Sequence, residues 1–244
     1  MMKVISYFFS FVFAVVFYLI LLIFHVIQWI ALKFGYQYHK ISVDWLNWFL
    51  MKSLLLLGNT VTFKKHYPIP RGVSIIFISN HQSMFDIPPI IWYMRKYHPK
   101  FVSKIELGRG IPSVSFNLRH GGAALINRKD PKQSLSTLEN FGKTIDRNTW
   151  SAVIFPEGTR SRNGQPKKFA LNGLKMIIKN NREAYIVPVT INNSWKVFKY
   201  GKFPLGMFNS IKIESFKPIH LRDTNTNEAL LIAEQMIKEN IKPI

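Results

Sequence analysis

The sequence predicts an α/β domain, with a mostly parallel central sheet flanked by helices, preceded by an N-terminal apolar two-helix membrane anchor. Three observations predict it. Residues 4–32 carry no Lys, Arg, Asp or Glu. From about Thr60 onward, short near-continuous apolar runs alternate with segments of helical periodicity. The formal net charge of +20 is divided unevenly, with +2 on residues 1–50 and +18 on the remainder.

Composition sets the outer limits. A chain of 244 residues suits one domain of ordinary size with a short appendage. At 48% hydrophobic and 14% aromatic residues it is too apolar to be disordered. The absence of cysteine excludes a disulfide framework, a zinc–thiolate site, an iron–sulfur cluster and a cysteine nucleophile. An excess of 33 Lys and Arg over 13 Asp and Glu suits an anionic partner: nucleic acid, an anionic membrane surface or a phosphorylated small molecule. The apolar head favours the membrane.

The uncharged stretch between Lys3 and Lys33 is 29 residues long, beyond the roughly 20 that cross a hydrocarbon core as a helix. It is too long for a signal-peptide core, and no small-residue cleavage site follows it. Its polar residues are Ser6, Ser10, His25 and Gln28, of which the last two are expected near a membrane interface. A second apolar segment holds Val43, Trp45, Leu46, Trp48, Phe49 and Leu50, then Leu54 to Leu57, with Asp44, Asn47 and Lys52 as its polar side. This composition predicts an amphipathic helix lying among lipid headgroups.

In the basic body the expected strands are Val73–Ser79, Lys100–Ser103, Ala123–Ile126, Ser151–Phe155, Tyr185–Ile191 and Ser210–Phe216. Several are near-continuous apolar runs, as expected of strands covered on both faces. Helical periodicity occupies 131–147, 170–181 and 226–240, the last with Thr224 or Thr226 as its expected N-cap. Strand–helix alternation points to a largely parallel sheet. No internal repeat or long linker divides residues 60–244.

Four clusters could carry chemistry. Asn80-His81-Gln82-Ser83-Met84-Phe85-Asp86 follows an apolar strand, where α/β folds place ligands. In a loop entering a helical turn, the carboxylate of Asp86 can reach the imidazole of His81 and orient it, leaving the other nitrogen to take a proton from a hydroxyl. Phe155-Pro156-Glu157-Gly158-Thr159-Arg160-Ser161-Arg162 follows a second strand and offers guanidinium forks that match phosphate oxygens. Gly121-Gly122-Ala123-Ala124-Leu125-Ile126-Asn127-Arg128 places another Arg just past a strand, and Ile186-Val187-Pro188-Val189-Thr190-Ile191 is a buried strand without reactive groups. The remaining histidines (His25, His39, His66, His98, His120 and His220) show no metal-ligand spacing and are expected at the surface or an interface. Phe141-Gly142-Lys143-Thr144 is not a phosphate loop, since Thr137 stands where the first Gly is needed, and no G-x-S-x-G occurs.

Together, in this order and spacing, the clusters resemble the four motifs of the glycerolipid acyltransferases, specifically the 1-acyl-sn-glycerol-3-phosphate (lysophosphatidate) acyltransferase family. NHQSMFD is similar to the NHxSxxD signature, GGAALINR to the second motif, FPEGTRS to the third and IVPVTI to the fourth; Lys100 to Pro112 resembles the segment between the first two. The resemblance runs from about residue 60 to 220. It implies a catalytic domain at 59–244 and membrane-anchoring helices at 1–58. It implies His81 as general base and Asp86 as the group fixing its tautomer. It implies that Arg128, Glu157, Gly158 and Arg160, with Lys104, bind the glycerol phosphate. The implied reaction moves a fatty acyl group from acyl-CoA or acyl-carrier protein to the sn-2 hydroxyl of lysophosphatidate, giving phosphatidate for phospholipid biosynthesis. No cofactor and no metal are implied. The implied location is the bacterial inner membrane, with the catalytic domain on the cytoplasmic face. Leu125 and Asn127 depart from the second motif, which usually has Phe and an acid there. Lys167 and Lys168 precede Phe169 where the family often shows the reverse order.

Two alternatives stay open. A lysophospholipid, an ornithine lipid precursor or glycerol 3-phosphate itself could be the acceptor. A membrane-attached nucleic-acid-binding module is permitted by charge, but no helix-turn-helix, RNA-binding or zinc signature is present, and nucleic acid is not expected as a partner.

Overall fold

The computed structural model describes residues 2–242. Two N-terminal helices, α1 (Met2–Lys33) and α2 (Tyr36–Ser53), lead into strands β1 (Thr60–Lys65) and β2 (Ile75–Ser79). There follow α3 (Ile87–Met94), β3 (Pro99–Lys104), α4 (Val114–His120), β4 (Ala124–Ile126), α5 (Pro131–Asn148) and β5 (Ser151–Ile154). The chain closes with α6 (Leu171–Ile178), β6 (Tyr185–Asn192), β7 (Ser210–Ser215), β8 (Ile219–His220) and α7 (Thr226–Glu239).

The strands form one eight-stranded sheet in the order β1-β7-β6-β2-β5-β3-β4, with β8 also pairing β6. From β6 to β4 every pairing is parallel, while β7 and β8 run antiparallel to β6. All five residues of β2 are buried, because β2 lies between β5 and β6 with helices on both faces. Side chains alternate between two cores. Ile75 and Phe77 join Phe101, Val153 and Val187 on one face, under α3 and the N-terminal helices. Ile76 and Ile78 join Ala152, Ile154 and Ile186 on the other, against Ile145 of α5, Ile177 of α6 and Ala233 of α7. The last helix is capped by Asn225, whose side chain accepts from the Asn227 N–H, rather than by either neighbouring threonine.

The two-helix anchor needs one correction. Among the described residues only α1 is long and apolar enough to cross a membrane, with a mean hydropathy of 2.7 in its most apolar window. Its polar residues mark the side that docks on the protein. Ser6 donates to the Leu205 carbonyl, and Ser10 Oγ accepts from the Leu205 N–H at 2.8 Å. His25 Nδ1 accepts from the Ser113 N–H at 3.1 Å, and Gln28 is fully buried. His25 and Gln28 therefore face the protein rather than a membrane interface. Phe13 of α1 packs edge-on to Phe85, so the first helix shares the core beneath the sheet.

The second helix is amphipathic in the opposite sense to that expected. It turns Asp44 and Asn47 inward, where Lys40 pairs with Asp44 and the Asn47 amide donates to the Val43 carbonyl at 2.7 Å. It turns Tyr38, Ile41, Trp45 and Phe49 outward. Buried polar groups need partners, and Asp44 and Asn47 both have one. The outward residues of α2 line one apolar groove with Phe24, Ile27 and Ile30 of α1.

Candidate active site

Four loops leave the carboxyl ends of β2, β5, β3 and β4, which lie side by side in the parallel part of the sheet, where this architecture places ligands. The first begins at Asn80. Its amide donates to the Ile191 carbonyl and accepts the Ile191 N–H, both at 2.8 Å. A side chain thus completes the β2–β6 ladder and frees the main chain to turn.

The turn delivers His81 and Asp86 to each other. His81 Nδ1 lies 2.7 Å from Asp86 Oδ2. The same oxygen accepts the Gln82 N–H at 2.7 Å and the Ser83 N–H at 2.9 Å. Asp86 is fully buried, and its carboxylate is met by three donors, as a buried polar group requires. Ser83 closes a reciprocal cap on the short turn, its hydroxyl accepting the Phe85 N–H at 3.0 Å. The hydroxyl of Ser194, in the segment after β6, contacts Ser83 Oγ, and the Ser194 N–H donates to Gln82 at 3.0 Å. Asp86 accepts, so Nδ1 of His81 carries the proton and Nε2 presents its lone pair. No protein group among the described residues bonds Nε2.

The ring has a second constraint. Phe155, the first residue after β5, stacks on His81 with centroids 4.1 Å apart and planes 13° from parallel. Asp86 sets the rotation of the imidazole and Phe155 sets its plane. Sequence reasoning places Phe155 at the head of the second cluster but assigns it no role; an aromatic beside a histidine loop becomes visible only when two strands 76 residues apart pair.

The resemblance implies that Glu157 contacts the glycerol phosphate. In the structure both its oxygens face main-chain donors. Oε1 accepts the His81 N–H at 3.0 Å and Oε2 accepts the Lys167 N–H at 3.1 Å. Burial pushes the Glu157 carboxyl above the usual carboxylate range, and these two bonds offset that only in part. Glu157 is therefore a tie between three loop segments. Gly158 follows at φ 66°, a left-handed conformation that strains any residue with a side chain. A guanidinium N–H of Arg128 donates to the Gly158 carbonyl, joining the loop after β4 to the loop after β5.

Arg160 is exposed, and its main chain adjoins the histidine, since the Ser161 N–H donates to the His81 carbonyl at 2.7 Å. Lys167 folds back over this loop, donating to Thr159 Oγ1 at 2.7 Å and to the Arg160 carbonyl at 3.1 Å. Lys104 ends β3 beside Ile126 of β4, two residues before Arg128, and is exposed. The structure thus joins His81, Asp86, Glu157, Gly158 and Arg128 by direct contacts, while Arg160 and Lys104 stand at the same sheet edge without a side-chain contact to that group.

Of the other histidines expected at a surface or interface, His39 departs from that expectation, being fully buried beside Phe116.

Comparison with known proteins agrees with this architecture. A family model described as Acyltransferase matches residues 60–192. The 1-acyl-sn-glycerol-3-phosphate acyltransferase of Helicobacter pylori is 33% identical over 189 residues, covering 75% of this chain and 74% of that protein. The Borreliella burgdorferi protein of the same name is 32% identical over 146 residues, covering 60% of this chain and 56% of the relative. The chloroplastic LPAT1 of Arabidopsis thaliana is 28% identical, and this chain spans 44% of its length. Among solved structures, the 1-acyl-sn-glycerophosphate (LPA) acyltransferase PlsC of Thermotoga maritima superimposes with a TM-score of 0.76 at 19% identity, over 98% of this chain and 94% of that one, and so shares the fold. With more than half its length matched by the family model and a third of its residues shared with the Helicobacter relative over three quarters of the chain, this protein belongs to the Acyltransferase family.

Proposed function

We propose that this protein is a membrane-associated 1-acyl-sn-glycerol-3-phosphate O-acyltransferase that makes phosphatidate for phospholipid biosynthesis. The observation that carries the reading is the His81–Asp86 contact at the end of β2, with Nε2 left open. The lone pair of Nε2 takes the proton of the acceptor's sn-2 hydroxyl as its oxygen attacks the thioester carbonyl. The new C–O bond forms, the C–S bond breaks, and the proton on His81 passes to the departing sulfur. Asp86 holds the transient imidazolium and Phe155 keeps the ring from tipping. The donor is acyl-CoA or acyl-carrier protein; either serves as substrate, and the step needs no cofactor.

On this reading Arg128 and Arg160, with Lys104, meet the acceptor phosphate. Glu157 and Gly158 shape the loop that presents them. The exposed apolar side of α1 and α2 suits a lipid bilayer, which is where both acceptor and product reside. The proposed location is the inner membrane, with the sheet domain on the cytoplasmic side. The names of the relatives favour lysophosphatidate over a lysophospholipid, an ornithine lipid precursor or glycerol 3-phosphate. The test is acyl transfer by the purified chain in detergent, with each acceptor offered in competition and both donor types supplied. Preferential consumption of lysophosphatidate is expected. Preference for another acceptor would reassign the substrate, and no transfer with any pair would remove the activity.

A further inference from the structure

At the opposite end of the sheet from His81, around the start of β3, lies a small cavity of about 40 Å³ whose largely apolar wall carries a cluster of polar groups. That is room for about three waters by the usual measure, roughly the space of one tetrahedral oxyanion. Its walls include Tyr36, His39, Lys40 and Asp44 of α2, with His98 and Lys100 of the β3 segment.

Three observations point to an occupant. Lys100 is only 8% exposed. Its ammonium donates to the Tyr36 hydroxyl and lies over two rings, 5.1 Å from the Tyr36 centroid and 4.7 Å from that of Trp150. Yet it has no carboxylate within ion-pair distance among the described residues, and the one nearby acid, Asp44, is paired with Lys40. A buried charge of this kind calls for a counter-ion. Second, His39 is fully buried and neither ring nitrogen has a partner, an unusual state for a buried polar group. Third, His98 Nδ1 is likewise buried without a partner. Burial, with Lys100 near His39 and with Lys40 and Lys100 near His98, holds both imidazoles down at about 4, so each is neutral and has an N–H to donate. Two aromatic faces already shield part of the ammonium, and the remaining requirement is a compact acceptor-only group.

We propose that this cavity is a second anion site, taking a phosphate group held by Lys100, His39 and His98. The site is separate from the catalytic loops and does not depend on the acyl-transfer reading. Two sources share this chemistry, free phosphate and the headgroup of an anionic lipid.

The test uses thermal unfolding of the full chain in neutral detergent. The chain carries Arg128→Ala, Arg160→Ala and Lys104→Ala, which removes the three loop cations assigned to the acceptor phosphate. Inorganic phosphate and water-soluble dihexanoyl phosphatidate are titrated separately, with chloride at matched ionic strength as control. A saturable rise in Tm of about 5 °C at a hundredfold excess over Kd is expected with at least one probe. Protection by inorganic phosphate assigns free anion, and protection by the lipid analogue alone assigns a headgroup. In either case the rise should disappear with Lys100→Met. Should that variant not fold, His39→Leu must weaken the apparent affinity at least tenfold. Protection that survives Lys100→Met, or survives His39→Leu unweakened where Lys100→Met does not fold, overturns the site, as does the absence of protection by both probes.

Discussion

Nδ1 of His81 stands 2.7 Å from Oδ2 of Asp86, and that single oxygen also gathers the N–H groups of Gln82 and Ser83. The carboxylate is therefore built into the turn before it meets the imidazole. Its position is set by main-chain donors one and two residues beyond the histidine it orients, so the tautomer of His81 is fixed by local backbone geometry rather than by long-range packing.

Asp86→Asn tests that arrangement. The amide oxygen can stand where Oδ2 stands and accept from the same three donors, but it carries no charge to steady an imidazolium. Turnover should fall about a hundredfold or more with little change in the apparent KM for the acceptor. Steady-state kinetics over both substrates separates the two. Denaturant unfolding should show a loss of about 1–3 kcal/mol, because charge-assisted bonds become neutral ones.

Glu157→Gln probes the tie between loops. Each oxygen of Glu157 accepts one main-chain N–H, and Gln can satisfy only one. The other N–H then faces an amide donor, at a cost of about 1–3 kcal/mol. Stability and turnover should fall together. Unchanged stability would show that the loops hold without this carboxylate.

Arg128→Ala and Arg160→Ala should act on the acceptor instead. Loss of one charge-assisted contact to phosphate is worth about 1.5–3 kcal/mol, or roughly 10–100-fold in apparent acceptor affinity. The kcat at saturating acceptor should change less. Arg128→Ala also releases the Gly158 carbonyl, so it should be the more destabilising of the two.

Lys100 carries a pH signature. Burial, with Lys40 adding to it, lowers its ammonium from an ordinary 10.5 to about 8. The unfolded chain therefore binds more protons than the folded one between those values, and stability attributable to this group rises as pH increases from about 8 to 10.5. Below about 8 the burden of the buried charge is fully present. Comparing unfolding free energies of the native chain and Lys100→Met across that window isolates the effect, which is at most about 3 kcal/mol. A constant difference between the two chains would place the Lys100 charge in contact with solvent.

Much of this was legible in the sequence, for identifiable reasons. β2, β5 and β6 announce themselves because strands covered on both faces must be apolar throughout. β1 does not: it pairs only with β7 at the sheet edge, and its residues TVTFKK are half exposed. α3 is concealed by Pro88 and Pro89, which read as a break but sit in the first turn of the helix, where their missing N–H groups cost nothing. His81 and Asp86 can be paired from sequence because the turn that joins them is local. The contacts of Glu157 and Phe155 with the His81 segment cannot, since they arise from the adjacency of β2 and β5. The inward face of α2 misleads for a related reason: polar residues mark water on an isolated helix but here mark the partnered interior.

The central claim is that His81 removes the acceptor proton. It is tested most directly by turnover of purified His81→Ala at saturating lysophosphatidate and acyl thioester, beside a melting curve showing that the variant is folded. A fall of at least a hundredfold with near-native stability is predicted. Turnover equal to that of the unaltered chain would contradict the account.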